Sequence, residues 1–135
     1  MEVVLTFQVH GRPRGKARPR FLPGRPTYTP AETVNYETAL RWRAKEIWKG
    51  RAPLEGPVGL VVTAVIPIPK SWARAKKVLA LAHQIRPTGK PDWDNIGKMT
   101  DALKGLVWND DSQVVDGRVL KYYGDIPFLQ VEILQ

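Results

Sequence analysis

The alternation of apolar and polar residues along this chain of 135 residues predicts four β-strands. Residues 2–10 alternate as a half-buried strand does. Its apolar side consists of Val3, Leu5, Phe7 and Val9. Residues 56–69 are rich in β-branched side chains on both faces, which is typical of a central strand covered on both sides. Residues 114–123 and 128–134 predict a terminal strand pair, joined through the turn residues 124–127.

Three segments have helical signals. Thr29-Pro30-Ala31-Glu32 is typical of a helix start with a capping box, and Gly50 marks the end of that helix. Its predicted buried face consists of Tyr36, Leu40, Ala44 and Ile47. A second helix is expected from Ser71 to His83. A third is expected from about Asp94 to Lys104, with Gly105 ending it. The predicted buried face of this third helix consists of Ile96, Met99 and Leu103.

These elements interleave without the regular spacing of a parallel βαβ barrel. We therefore predict a small single α+β domain over residues 1–135, with a mixed β-sheet packed by helices and an irregular basic arm at 11–29. A chain of this length can bury a core without disulfides or metals. The absence of cysteine excludes disulfide frameworks, cysteine zinc sites and thiol nucleophiles. No apolar run reaches the length of a membrane span, so we expect a soluble, cytoplasmic protein without a membrane partner.

Charge is distributed unevenly along the chain. Residues 1–91 carry 17 of the 21 lysines and arginines and five of the 13 acids, a net charge of +12. The last 44 residues have a net charge of −4 and contain all seven aspartates. Basic protein surfaces attract nucleic acid, whereas each carboxylate repels phosphate. Gathered aspartates in a basic protein therefore favour a site with a function of its own.

The arm contains six cations with no acid between them: Arg12, Arg14, Lys16, Arg18, Arg20 and Arg25. Arginine forks suit phosphate, which favours DNA backbone contact over a merely solvated loop. Phe21 and Tyr28 either stack on exposed bases or, more commonly, pack. Among the tryptophans, we expect Trp42, Trp48 and Trp72 to pack in the core or on helices. Trp93 and Trp108 flank the acids and are candidates for the walls of a site.

The densest polar stretch is Lys90-Pro91-Asp92-Trp93-Asp94-Asn95-Ile96-Gly97-Lys98, followed by Asp101 and by Asp110-Asp111. If residues 92–94 are extended, Asp92 and Asp94 point to the same side. Each aspartate also has a structural explanation: helix capping, a turn, or pairing with a lysine. A cap needs one acid, however, and several carboxylates gathered by one fold suit Mg²⁺ or Mn²⁺ in phosphoryl transfer. By spacing alone, Lys98 is best explained as the surface partner of Asp94.

Three stretches of the sequence resemble the RusA family of Holliday junction resolvases. They are the stretch 90–98 with Asp101-Ala102-Leu103, the stretch Trp108-Asn109-Asp110-Asp111-Ser112-Gln113-Val114-Val115, and the opening segment 11–20 with Tyr28-Thr29-Pro30. An Asp-x-Asp-Asn-x-x-Lys element with a downstream Asp-Asp-x-Gln is specific, whereas Asp-x-Asp alone is not. Trp93 stands where the family usually has a smaller aliphatic residue, and Gly97 weakens the first helical turn.

The resemblance implies a RusA-like fold and a homodimeric, Mg²⁺-dependent endonuclease, with Mn²⁺ as a substitute, that cuts four-way junction DNA by paired nicks in a prokaryotic cell or a phage-infected host. Carried over by position, the catalytic residues are Asp92, Asp94, Asp111 and Lys98. The same three aspartates and Asp110 are the candidate metal ligands. The candidate DNA-binding residues are Arg12, Arg14, Lys16, Arg18, Arg20 and Lys90. Two other functions remain open: a non-catalytic DNA- or RNA-binding protein, and a less selective flap or duplex nuclease.

Overall fold

The computed structural model describes all 135 residues and places four strands in one mixed sheet. The strands are β1 (Val3–His10), β2 (Val58–Pro67), β3 (Val114–Gly124) and β4 (Phe128–Leu134). Their order across the sheet is β1-β4-β2-β3. β4 is antiparallel to both β1 and β2, and β2 is parallel to β3. The predicted α+β class with a mixed sheet is confirmed.

The helices are α1 (Ala31–Trp48), α2 (Arg74–Leu81) and α3 (Trp93–Lys98). α3 continues into a 3-10 segment, Met99–Leu103, and a second 3-10 turn, Asp111–Gln113, precedes β3. The predicted third helix is thus an α-helix only in its first half. Gly105 follows it with a φ of 79°, a left-handed conformation that glycine adopts without steric cost.

One face of the sheet carries the hydrophobic core. α1 packs against β1 and the 3-10 segment after α3, while α3 packs against β3. The predicted faces of α1 and α3 are confirmed in the main: Leu40, Ala44, Ile96, Met99 and Leu103 are fully buried. Tyr36 is buried as well, and Ile47 is half-buried. A Cβ at Gly97 would lie 3.4 Å from Cγ2 of Val119 on β3, which shows how closely α3 packs on the sheet.

The pairing predicted for the last two strands is wrong. β3 and β4 follow each other along the chain, but β2 lies between them in the sheet. The short connection at 125–127 therefore crosses the end of β2 instead of forming a hairpin. Gly124 makes this passage possible, since a Cβ there would lie 2.5 Å from Cγ1 of Val65.

Two further predictions for the strands need correction. The register of β1 shifts between Val3 and Leu5, and Val3 pairs with Leu134. Val3 is half exposed, so it does not share the buried side of Leu5 and Phe7 as predicted. β2 is central, as predicted, but its two faces are not covered equally. Its second face is half-buried along Val61, Thr63 and Val65.

The predicted capping box of α1 does not form. Pro30 occupies the N-cap position and no side chain caps the helix. The residues of the first turn bind the arm instead: Glu32 pairs with Arg14 and the Thr33 hydroxyl accepts a hydrogen bond from the Ala17 N–H. None of the helices combines the length and the hydropathy that a membrane span requires.

Candidate active site

The basic arm is docked on α1 and α3 by backbone contacts. Lys16 N–H donates to the Asn95 carbonyl at 2.8 Å, and Ala17 N–H donates to Thr33 Oγ1 at 3.2 Å. Gly15 permits this close approach, because a Cβ there would lie only 3.0 Å from the Cβ atoms of both Pro91 and Asn95, and these neighbours would have to move slightly. Further along, Arg20 and Tyr28 pair through two backbone hydrogen bonds. The arm is therefore a structured excursion that begins beside α3.

The side chain of Lys16 lies between two carboxylates. Its Nζ is 3.1 Å from Asp101 Oδ2 and 3.3 Å from Glu37 Oε1. Partial burial disfavours the charged ammonium, but the hydrogen bonds and charges of Asp101 and Glu37 outweigh that cost and raise the pKa of Lys16. Lys16 thus joins the arm to α1 and to the 3-10 segment after α3.

The start of α3 carries the first pair of candidate carboxylates. Asp92 is the N-cap, with extended backbone, while Asp94 lies in the first helical turn, so the two are not on a common extended segment as the alternation had suggested. Both side chains are exposed. Lys98 Nζ is 3.9 Å from Asp94 Oδ2, which confirms that these two residues share a helix face. Trp93, between the two aspartates, is 67% exposed.

Asp110 and Asp111 occupy the turn before β3. Asp110 caps this turn, and Gln113 closes a capping box by accepting hydrogen bonds from the N–H groups of Asn109 and Asp110. The amide of Gln113 also donates to the carbonyls of Leu54 and Gly56, which ties the turn to the segment before β2.

Neighbouring side chains contact the carboxylates of both Asp110 and Asp111. The Ser112 hydroxyl, with a smaller effect of the Lys104 charge, lowers the pKa of Asp110. Asp111 Oδ1 accepts a hydrogen bond from Nε1 of Trp108, whose ring is almost fully buried. Of the two tryptophans expected beside the acids, Trp108 therefore contacts one directly. Trp48 is buried as expected, whereas Trp42 is 60% exposed, so its predicted packing is wrong.

Arm and α3 together form a cleft of about 560 Å³. Five of the predicted DNA-binding cations line it besides Lys16: Arg12, Arg14, Arg18, Arg20 and Lys90. Asp92, Asn95 and Glu32 line it as well. The cleft therefore holds two carboxylates among its cations: Glu32 pairs with Arg14, whereas Asp92 forms no ion pair within the chain. Phe21, beyond Arg20, is 72% exposed, so packing does not account for it.

The donor chemistry expected for Mg²⁺ is met in part. No three carboxylate or imidazole groups of the chain lie together as a ready metal centre. Mg²⁺ sites in phosphoryl transfer use one or two protein carboxylates and complete the shell with water and substrate phosphate. Asp92 and Asp94 are exposed carboxylates with this donor chemistry, and their binding of Mg²⁺ stays a prediction. The participation of Asp110 and Asp111 in metal binding stays a prediction.

Residues that support the site were partly missed by sequence reasoning. The role of Gln113 could have been predicted, because Asp-x-x-Gln is the pattern of a capping box with glutamine at position N3. The contacts of the arm with Asn95, Glu37 and Asp101 could not be predicted from the sequence pattern. Asn95 and Asp101 are about 80 residues away from the arm along the chain, and Glu37 lies on a separate element.

Two comparisons with known proteins relate this chain to a family and to one relative. Residues 10–134 match the profile of the family described as Endodeoxyribonuclease RusA. A Bacillus subtilis (strain 168) protein, "Uncharacterized protein YqaN", is 36% identical over 135 residues, which cover 96% of this chain and 94% of that protein.

Proposed function

Because this chain belongs to the RusA endodeoxyribonuclease family, we propose that it is a Mg²⁺-dependent endonuclease that resolves four-way DNA junctions by paired symmetrical nicks. Its setting would be DNA recombination and repair. Family membership supports nuclease activity on DNA. Junction selectivity, the metal and the pairing of the nicks are the parts that we add.

The observation that carries the proposal is the cleft between the arm and α3. Arg12, Arg14, Arg18 and Lys90 line it together with Asp92. Glu32 in the same cleft is neutralised by Arg14, but Asp92 has no ion-pair partner. A protein that only binds polyanions gains nothing from an unpaired carboxylate on the wall of its phosphate-binding cleft, since the carboxylate repels the ligand. A cation between Asp92 and a phosphate reverses that repulsion.

Each of the predicted site residues, in the cleft and beside it, then has a role. The arginines hold backbone phosphates with paired N–H donors, and they orient the strand across the start of α3. Asp92 and Asp94 would hold the metal ion, which would supply a more acidic water and neutralise charge on the phosphate oxygens. Lys98, beside Asp94, adds positive charge close to the scissile phosphate. Trp108 engages Oδ1 of Asp111, which leaves Oδ2 of that carboxylate to orient a water or a ligand.

A homodimer follows from the proposed reaction. Two symmetrical cuts on a two-fold junction require two sites related by a two-fold axis. Light scattering on the protein with junction DNA measures this. A stable monomer on the junction would exclude concerted paired cutting.

Cleavage of a synthetic four-way junction tests the activity. With Mg²⁺, the wild-type protein is expected to nick opposite strands symmetrically. Asp92→Asn should bind the junction with unchanged or higher affinity and lose cleavage. Asp116→Asn is a matched control, because Asp116 is an exposed acid on β3 that pairs with Arg118, outside the cleft. Binding without cleavage by the wild type, in both Mg²⁺ and Mn²⁺, would reject the enzyme and favour a non-catalytic nucleic-acid-binding protein.

Substrate competition separates a resolvase from a less selective nuclease. The junction and its component duplex arms and flaps are supplied at equal concentration, and the initial rates are compared. A resolvase cuts the junction preferentially. Equal rates on all substrates would reject junction selectivity while leaving nuclease activity in place.

A further inference from the structure

Lys16 is the cation of the arm that lies between two carboxylates, whereas Arg14 pairs with Glu32 alone. Arg12, Arg18 and Arg20 form no ion pair within the chain, and their side chains face the cleft. The ammonium of Lys16 is within 3.3 Å of two carboxylates, and less than a third of the side chain is exposed. Arg41 lines the same depression, so Lys16, Glu37, Arg41 and Asp101 together carry no net charge. The ammonium of Lys16 is already engaged by two carboxylates, so it is less free to bind phosphate than the arginines that face the cleft.

The cluster lies where the arm meets the candidate active site. The backbone N–H of Lys16 binds the carbonyl of Asn95 on α3, three residues after Asp92. Gly15 packs closely against Pro91 and Asn95, where a Cβ would lie 3.0 Å from each. The arm therefore contacts the segment around Asp92 through residues 15 and 16. Its free part, with Arg18 and Arg20, starts directly after this anchor.

We propose that Lys16 is a positioning residue, which acts through Glu37 and Asp101 to hold the basic arm in register with the carboxylates of α3. This replaces phosphate contact as the role of Lys16 and rests on the proposed function for its effect on cleavage. Glu37 fixes the ammonium to α1, and Asp101 fixes it to the segment that continues α3. The arm is thereby connected to both helices that border the cleft.

The substitution Asp101→Asn distinguishes the two roles of Lys16, because they predict different changes in junction affinity. If Lys16 contacts phosphate, the substitution frees its ammonium and removes a repelling acid, so junction affinity rises. If Lys16 positions the arm, the substitution loosens the arm, so kcat for junction cleavage falls and affinity does not rise. Glu37→Gln is a second variant with the same expected direction. Asp116→Asn is the control, since it removes one acid of an exposed ion pair elsewhere and should change neither quantity.

Limited proteolysis with trypsin reports on the arm without any DNA. The bonds after Arg14 and Arg20 are followed by mass spectrometry, because neither is followed by proline and every variant retains both. Asp101→Asn is expected to accelerate cleavage at these bonds about two- to five-fold, as the loss of an ion-pair anchor raises the open population. Thermal unfolding by circular dichroism verifies that the variants remain folded.

An exchange of the charges at positions 16 and 101 tests whether the anchor of the arm can be restored. Lys16→Asp alone places three acids together and should loosen the arm further. Lys16→Asp combined with Asp101→Lys restores one cation between two acids and should recover both tryptic protection and kcat. Unchanged proteolysis of Asp101→Asn, higher affinity, or failure of the exchange to recover kcat would each overturn the positioning role. If the wild type cleaves no DNA, the proposed function fails, whereas the proteolysis arm of the experiment still decides whether Lys16 anchors the arm.

Discussion

The indole Nε1 of Trp108 donates a hydrogen bond to Oδ1 of Asp111 at 3.2 Å. The ring of Trp108 is fixed in the hydrophobic core, while the carboxylate of Asp111 is exposed. A buried residue thus orients an acid at the surface. The contact connects the packing of the core to the geometry of a predicted catalytic group.

Trp108→Phe should therefore lower the rate of junction cleavage about ten-fold or more, because Asp111 loses the donor that orients it. Trp48→Phe is the matched control, since Trp48 is equally buried and its Nε1 has no hydrogen-bond partner. Both substitutions remove buried volume and lower the free energy of unfolding. Only the first is expected to lower kcat in the folded protein, and an equal loss of kcat in both variants would contradict an orienting role.

Arg18→Ala tests the arm as a phosphate-binding surface. Arg18 is exposed and lines the cleft, so its removal should weaken binding to any DNA sequence and reduce the slope of log K against log salt by about 1. Arg43→Ala removes the same charge from the outer face of α1, where Arg43 pairs with Glu46. Fluorescence anisotropy over a salt series measures both. A slope that falls equally in the two variants would indicate an effect of net charge alone.

Gly124→Ala tests the passage of the chain over the end of β2. The new methyl group would lie 2.5 Å from Cγ1 of Val65, so the backbone must shift, at a cost of about 1–3 kcal/mol in unfolding free energy. Gly117→Ala, on the same strand, is the control, because its Cβ would meet its nearest neighbour at an ordinary 3.7 Å. Urea denaturation of the two variants provides the comparison. Similar stability of both would refute the steric requirement.

Tyr36→Phe tests a buried hydroxyl beneath the arm. Burial raises the pKa of Tyr36 to about 12, against the opposing influence of neighbouring Arg14. A raised pKa in the folded state means that the unfolding free energy is unaffected below about pH 10 and falls as the pH rises from 10 towards 12. Phenylalanine cannot ionise, so this part of the alkaline loss should be absent in the variant. Denaturation at several pH values measures it, and identical pH dependence in both proteins would disprove it.

The local pattern of apolar and polar residues was sufficient to predict where the main helices and strands lie. The spacing of Ile96, Met99 and Leu103 identified a face that is fully buried, and the alternation in residues 2–10 identified β1. The aspartate motifs identified the family, which the match over residues 10–134 confirms. Such patterns can be recognised without a structure, because the period of a helix or strand depends only on residues that are neighbours along the chain.

The order of the strands and the contacts of the site depended on the tertiary structure. Nothing between β3 and β4 shows that β2 will lie between them, since strand order is decided by which apolar faces pack together. The same holds for Lys16, whose charge looked like that of its neighbours in the arm until folding placed Asp101 beside it from 85 residues away. Sequence determined which residues carry charge and which faces are apolar. Long-range packing decided which of those charges oppose one another and which remain free to meet a ligand.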